Sequence, residues 1–311
     1  MNTDTHIPVL LREAIDALAI REHGRYADGT YGRGGHSRAI LRQLGPDGGL
    51  MALDRDPAAA QSAALLCADP RFAFYQANFT RMAELAKEHW NGQRLDGAIL
   101  DLGMSSPQID SGERGFSFSH NGPLDMRMNP AEGVSAAQWL QQATEQEIAD
   151  VLWQLGEERY GRRIARAIVA ARATQPLAET QVLAELIRRV VPRVESGRHP
   201  ATRAFQAIRI HINQELESLR VWLDNITQVL QRGARLVVIS FHSLEDRLVK
   251  RRFQGRVDGQ QPRLPRGLPV MTEHPPREFR LVGKPLRPAA EECQRNPRAR
   301  SAVMRVAEYC G

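Results

Sequence analysis

The 311 residues are 42% hydrophobic and 25% charged, the balance of a globular protein with room for one large domain or two smaller ones. No apolar run is long enough to cross a bilayer. The opening MNTDTHIPVLLREA lacks a signal-peptide pattern, and Cys67, Cys293 and Cys310 are too scattered for a disulfide framework or a Cys-rich zinc site, so a reducing, cytoplasmic protein is expected, with no residue assigned as a metal ligand. The net charge of +6 is uneven: 15 Lys/Arg face 5 Asp/Glu between Arg247 and Arg305, leaving −4 elsewhere, which fits either a polyanionic partner or a solvated basic surface.

In chain order, the first third alternates short apolar runs with helical patterns. A strand ending at Asp28 leads into DGTYGRGGHSRAIL, Asp28 to Leu41. GGLMALDRD is a second strand ending in acids, followed by a helix with Asp56 at its start and Pro57 in its first turn. FAFYQANF reads as a third strand. LDGAILDLG reads as a fourth, apolar throughout, as a strand covered on both faces must be. This alternation predicts a parallel, doubly wound α/β sheet.

From about Ser135 to Leu230 nearly everything reads as helix, with Thr144 and Glu147 as a capping box. Trp139 and Trp153 are expected in its core. Strand character returns at ARLVVISF, Ala234 to Phe241. The connection is too long for a plain crossover, so an all-helical domain is expected inside the α/β domain. The boundaries are drawn at 1–108 and 213–311 for the α/β domain and 109–212 for the insert. REFRLVG and SAVMRVAEY read as a final hairpin around a Pro/Arg-rich surface loop.

The glycine loop tests three ligands. A Walker-type loop needs Gly-Lys-Ser/Thr, but this one ends GGHS. A dinucleotide fingerprint needs G-x-G-x-x-G, but Gly32, Gly34 and Gly35 give G-x-G-G. Glycines also let backbone approach S-adenosylmethionine, and without a phosphate fingerprint the loop leans that way. Asp54, at the end of the second strand, is placed to accept both ribose hydroxyls, which alone does not separate the methyl donor from NAD.

DLGMSSPQ, Asp101 to Gln108, follows the fourth strand. Methyl transfer asks for alignment and exclusion of water more than for acid–base groups. If the nucleophile is an exocyclic amine, acceptors such as Ser105, Ser106 and the carbonyls around Pro107 localise its lone pair. A capped turn fits the same residues.

The segments DGTYGRGGHS, ALDRDP, DLGMSSPQ, RGFSF, GPLDMRM, GEERYGRRIARAI, HPATRAFQAIRI, SFHSLEDRLVK and NPRARSAVMR together closely resemble the bacterial ribosomal small subunit methyltransferase H family, from about His6 to Arg305. The resemblance implies a class I, Rossmann-like S-adenosylmethionine-dependent methyltransferase sheet with an inserted helical domain for substrate recognition. It implies methyl transfer to N4 of a cytidine in the decoding region of 16S ribosomal RNA, with that RNA or the small subunit as partner and neither DNA nor membrane. It places donor contacts at Gly34, Gly35, His36, Asp54, Phe79, Asp101 and Gln108.

Other residues carry two readings each. His36 is a helix start or a ligand contact. Ser243 with Asp246 is a helix cap, and His242 beside them a substrate contact. Asp125 and Arg127 are an ion pair or orient the cytidine. Arg159, Arg162, Arg163 and Arg166 are a phosphate-facing stripe or a solvated face. Two rival functions are an NAD-dependent oxidoreductase, disfavoured by the glycine spacing, and an RNA-binding assembly factor that lost the chemistry. A zinc deaminase is excluded because H-x-E with a C-x-x-C partner is absent.

Overall fold

The computed structural model describes residues 8–192, 199–255 and 277–311. Two units result: Met1–Gly103 with Glu217–Gly311, and Met104–Leu216.

The first unit is built on seven strands: β1 (Arg25–Asp28), β2 (Gly49–Asp54), β3 (Phe72–Gln76), β4 (Leu95–Asp101), β5 (Leu230–Ser240), β6 (Phe279–Leu281) and β7 (Val303–Tyr309). Their order is β3-β2-β1-β4-β5-β7-β6. The first five are parallel to one another, and β7 runs antiparallel to both β5 and β6. The strand order reverses between β1 and β4, which opens a crevice at their carboxyl ends. Asp28 ends β1 and Asp101 ends β4.

Period two explains why these strands are apolar throughout. Met51, Leu53, Ala98, Leu100, Leu236 and Val238 enter one core, with α4 (Met82–His89) packed over it. Leu50, Ala52, Ile99, Val237 and Ile239 enter the opposite core, under α1 (Leu11–Leu18), α2 (Gly35–Leu41) and α3 (Pro57–Ala63). Both faces are covered, so neither can be polar. Asp56 caps α3 by accepting from the Ala58 N–H at 3.0 Å, with Pro57 in the first turn as expected.

The second unit holds α5 (Ser106–Asp110), α6 (Ala136–Gln142), α7 (Glu145–Gly156), α8 (Gly161–Arg172), α9 (Thr180–Val190) and α10 (Thr202–Ile212) around its own apolar core. Thr144 and Glu147 form the expected capping box of α7. The run ATRAFQAIRIHINQELESLRVWL is two helices, α10 and α11 (Glu215–Asn225), separated at Gln214, whose φ of +50° no helix sustains. Among the described residues, no helix is long and apolar enough to cross a membrane.

Trp139 packs half-buried against the core of the helical unit as expected, its ring 4.5 Å from that of His211. Three expectations change. Trp153 is 63% exposed, because α7 buries Ile148, Ala149, Leu152 and Gly156 and the next position round the helix faces water. The stretch between the last two strands is not all loop, since α13 (Ala290–Arg295) and a 3₁₀ turn over Pro297–Ser301 occupy part of it. The cap of α12 (Ser243–Phe253) does not use Ser243 with Asp246. His242 is the capping residue, and the Glu245 carboxylate accepts from the Phe241 and His242 N–H groups at 2.8 and 3.3 Å. Asp246 instead takes two hydrogen bonds from Arg305, at 2.6 and 2.9 Å. A paired, charge-assisted contact outweighs a serine cap.

Candidate active site

The carboxyl ends of β1, β2 and β4 carry three aspartates whose surroundings fix the glycine loop. Asp28 is buried and accepts from the Thr30 N–H at 3.0 Å and the Ser37 hydroxyl at 2.7 Å. Thr30 Oγ1 in turn accepts from the Asp101 N–H at 2.6 Å, so the loop is tied to the end of β4. Asp54 accepts from the Gly32 N–H at 2.7 Å and the Asp56 N–H at 2.9 Å. Each of its two oxygens keeps a further lone pair, which is what a pair of ribose hydroxyls requires.

Two glycines are dictated by this geometry. Gly34 has φ +71°, and a Cβ there would lie 2.5 Å from the Tyr31 hydroxyl. A Cβ on Gly35 would overlap the Pro8 ring. Phe79 begins a short 3₁₀ turn after β3, capped by Asn78, and a Cβ on Gly29 would lie 2.9 Å from the Phe79 Cβ. The aromatic ring is thus rooted against the glycine loop and only half-buried.

Burial sets the electrostatics. It pushes the carboxyls of Asp28 and Asp54 up to about 6, against the hydrogen bonds each accepts. Asp101 is raised well above the usual carboxylate range, first by burial and then by Asp28, Glu245 and Glu292. His36 is buried and its imidazole lowered to about 4 by desolvation, with a hydrogen bond to the Val9 backbone acting the other way. It is therefore neutral at pH 7. Its Nδ1 lies 3.8 Å from Asp101 Oδ2. His36 Nε2 and Asp101 Oδ1 are both buried with no hydrogen-bond partner among the described residues. Buried polar atoms left unpaired are costly unless a ligand completes them. These residues fit a polar ligand carrying a ribose and an amino acid moiety.

Gly34, Gly35, His36, Asp54, Phe79 and Asp101 therefore all lie in the sheet unit. Ser105, Ser106, Pro107, Gln108 and Asp125 belong to the helical unit, which begins five residues before the boundary drawn from the sequence. Gln108 is buried and turned inward: its Oε1 accepts from the Ser105 N–H at 3.0 Å, and its own N–H donates to Ser105 O at 3.1 Å. Asp125 and Arg127 form a bidentate pair with both contacts at 2.7 Å. Burial raises the Asp125 carboxyl, but the Arg127 hydrogen bonds outweigh it and hold the group below its usual range. His242 Nε2 lies 3.2 Å from Glu245 Oε1.

Sequence reasoning passed over Asp28, Thr30 and Ser37 as working parts, although all three stand in or beside the glycine motif. It also passed over Asn213, whose side chain donates to Met126 O at 2.7 Å and accepts from the Met128 N–H at 2.8 Å, pinning the loop that carries Asp125 and Arg127. The basic C-terminal stretch is partly consumed by pairing. Arg252 meets Glu278, Arg280 meets Glu308 and Arg305 meets Asp246. Much of the segment Gln254 to Leu286 lies outside the described residues.

The model of the MraW methylase family matches residues 3–310. A curated relative from Thioalkalivibrio sulfidiphilus, named ribosomal RNA small subunit methyltransferase H, is 55% identical over 97% of this chain and 96% of its own. One of the same name from Nitrosococcus oceani is 54% identical over 98% and 96%. Among solved structures, an rRNA methylase from Streptococcus thermophilus aligns over 97% of this chain and 94% of its own, at 10% identity and a TM-score of 0.40. The family match spans nearly the whole chain, both units included, and the chain belongs to the MraW methylase family.

Proposed function

We propose that this chain transfers a methyl group from S-adenosylmethionine to N4 of a cytidine in the decoding region of 16S ribosomal RNA. Membership of a methylase family and 55% identity to a relative named for small-subunit ribosomal RNA support the reaction class and substrate. The observation that carries the donor assignment is the Asp54 carboxylate, held against the glycine loop with lone pairs to spare.

The donor supplies a methyl group already activated on a sulfonium. The chain's own task is to bind, orient and keep water out. Asp54 would hold the ribose hydroxyls. Gly34 and Gly35 would let the backbone approach, Phe79 would cover the adenine, and His36 with Asp101 would engage the methionyl end. A neutral His36, with its one N–H turned to the Val9 backbone, leaves Nε2 to accept a hydrogen bond and adds no positive charge beside a sulfonium. The Ser105 to Pro107 stretch would accept hydrogen bonds from the cytidine amine, and Asp125 with Arg127 would steady the base. A paired amine is not reachable, so the target base must leave its stack. We assign substrate recognition to the helical unit and expect neither DNA nor a membrane as partner.

The test is transfer of labelled methyl to small subunits lacking the modification, beside naked 16S RNA, with nucleoside analysis. Label in N4-methylated cytidine is expected. Donor binding without transfer to either substrate would favour an assembly factor instead.

A further inference from the structure

The exposed indole of Trp153 stands in a particular setting. A Cβ on Gly161 would lie 3.3 Å from Ala149 O and from Leu152 Cβ, and 3.7 Å from Trp153 N, so the first turn of α8 rests on the Ala149–Trp153 turn of α7. Toward the other end of the pair, Arg166 Nε lies 3.6 Å from Glu145 Oε1. The two helices are therefore antiparallel. Positions 145, 149 and 153 follow one line along α7, and 166 and 162 follow one line along α8 in the matching direction. By this spacing Arg162 falls on the edge that carries Trp153. Arg163 is its neighbour, and Arg159 lies in the turn between the helices.

Arg159, Arg162 and Arg163 are all exposed, and none has an ion pair among the described residues. The nearby acids are partly engaged: Glu158 is buried and accepts from the Tyr160 N–H at 2.9 Å, and Asp150 accepts from Gln146 Nε2 at 2.8 Å. Next to Trp153 on the surface stand Gln154, Asp150 and Glu157, not apolar side chains. A protein partner prefers an aromatic anchor inside an apolar patch. A ring ringed by polar groups and unpaired guanidinium groups suits a nucleobase, whose face stacks while flanking phosphates meet arginines.

We propose that Trp153, with Arg159, Arg162 and Arg163, forms a stacking platform for an unpaired base of the RNA substrate. It rests on the reading of that substrate as ribosomal RNA. The ring carries the stacking and the arginines the phosphate contacts. The low aromatic content of the chain does not argue against it, because one ring suffices.

The test measures affinity for unmodified small subunits and for a 16S RNA fragment, using wild type, Trp153→Ala, Trp153→Phe and the double variant Arg162→Glu/Arg163→Glu. A photo-crosslinking residue at position 153 reports what touches it. All sites are exposed, so folding is spared, and S-adenosylhomocysteine affinity serves as control. The platform predicts a loss of roughly five- to hundredfold for Trp153→Ala. It also predicts near-recovery in Trp153→Phe, a flatter salt dependence in the charge variant, unchanged S-adenosylhomocysteine affinity, and a crosslink to an RNA nucleotide. Wild-type affinity in Trp153→Ala, or a crosslink to a ribosomal protein, overturns the platform and leaves the methylation reading standing. Binding of S-adenosylhomocysteine without any RNA or subunit binding overturns both.

Discussion

The Asp54 carboxylate accepts the Gly32 N–H at 2.7 Å, so the acid at the end of β2 shapes the glycine loop. Asp54→Asn replaces one acceptor oxygen by an amide that faces a backbone donor, whichever way it turns. Donor affinity should fall at least about tenfold and the melting temperature should drop, because a charge-assisted hydrogen bond is replaced by a clash of donors. Calorimetric titration with S-adenosylhomocysteine and a thermal melt read the two effects.

Donor binding should also titrate in mildly acid solution. Burial lifts the Asp54 carboxyl to about 6, well above its unfolded value. If the ionised form accepts the ribose hydroxyls, affinity should fall about tenfold per pH unit below 6. In the free protein the same shift favours folding as pH drops from about 6 toward 4, since the folded state binds the extra proton. Titrations between pH 7.5 and 5 should show the fall in wild type and a flatter profile in Asp54→Asn.

His36 acts with the opposite sign. Its folded value of about 4 lies below that of a free imidazole, so the unfolded chain takes up a proton first as pH falls. Stability from this group is complete above about pH 6.5 and is lost between there and 4. His36→Gln keeps a polar side chain without that titration. Melting temperatures across this window should decline less in the variant than in wild type.

Gly34→Ala meets both a left-handed backbone and the Tyr31 hydroxyl, 2.5 Å from the new Cβ. A cost of about 1–3 kcal/mol is expected from the strain. Chemical denaturation should register that loss, and titration should register weaker donor binding. An unchanged denaturation midpoint would mean that the loop adapts freely.

Much of this was legible because periodicity and strand ends are local signals. The four apolar strands, the Asp56 and Thr144 caps and the long crossover follow from neighbouring residues. Trp153 was misplaced because an apolar residue on an amphipathic helix reads as core, while one step of the helix turns it outward. The inward use of Gln108 and the Asp246–Arg305 pair were not legible, since each depends on partners that only the folded chain brings near. That pair supplies its own check. Removing Arg305 leaves Asp246 partly buried and unpaired, so Arg305→Met should cost about 2–4 kcal/mol, and Asp246→Asn in the same chain should recover part of it.

The most direct measurement of the central claim is the titration of S-adenosylhomocysteine into wild type and Asp54→Asn at pH 7.5. One site per chain, weakened at least about tenfold by the substitution, is the predicted result. Equal affinity in the two proteins would contradict the assignment of the donor to the glycine loop and the acid at the end of β2.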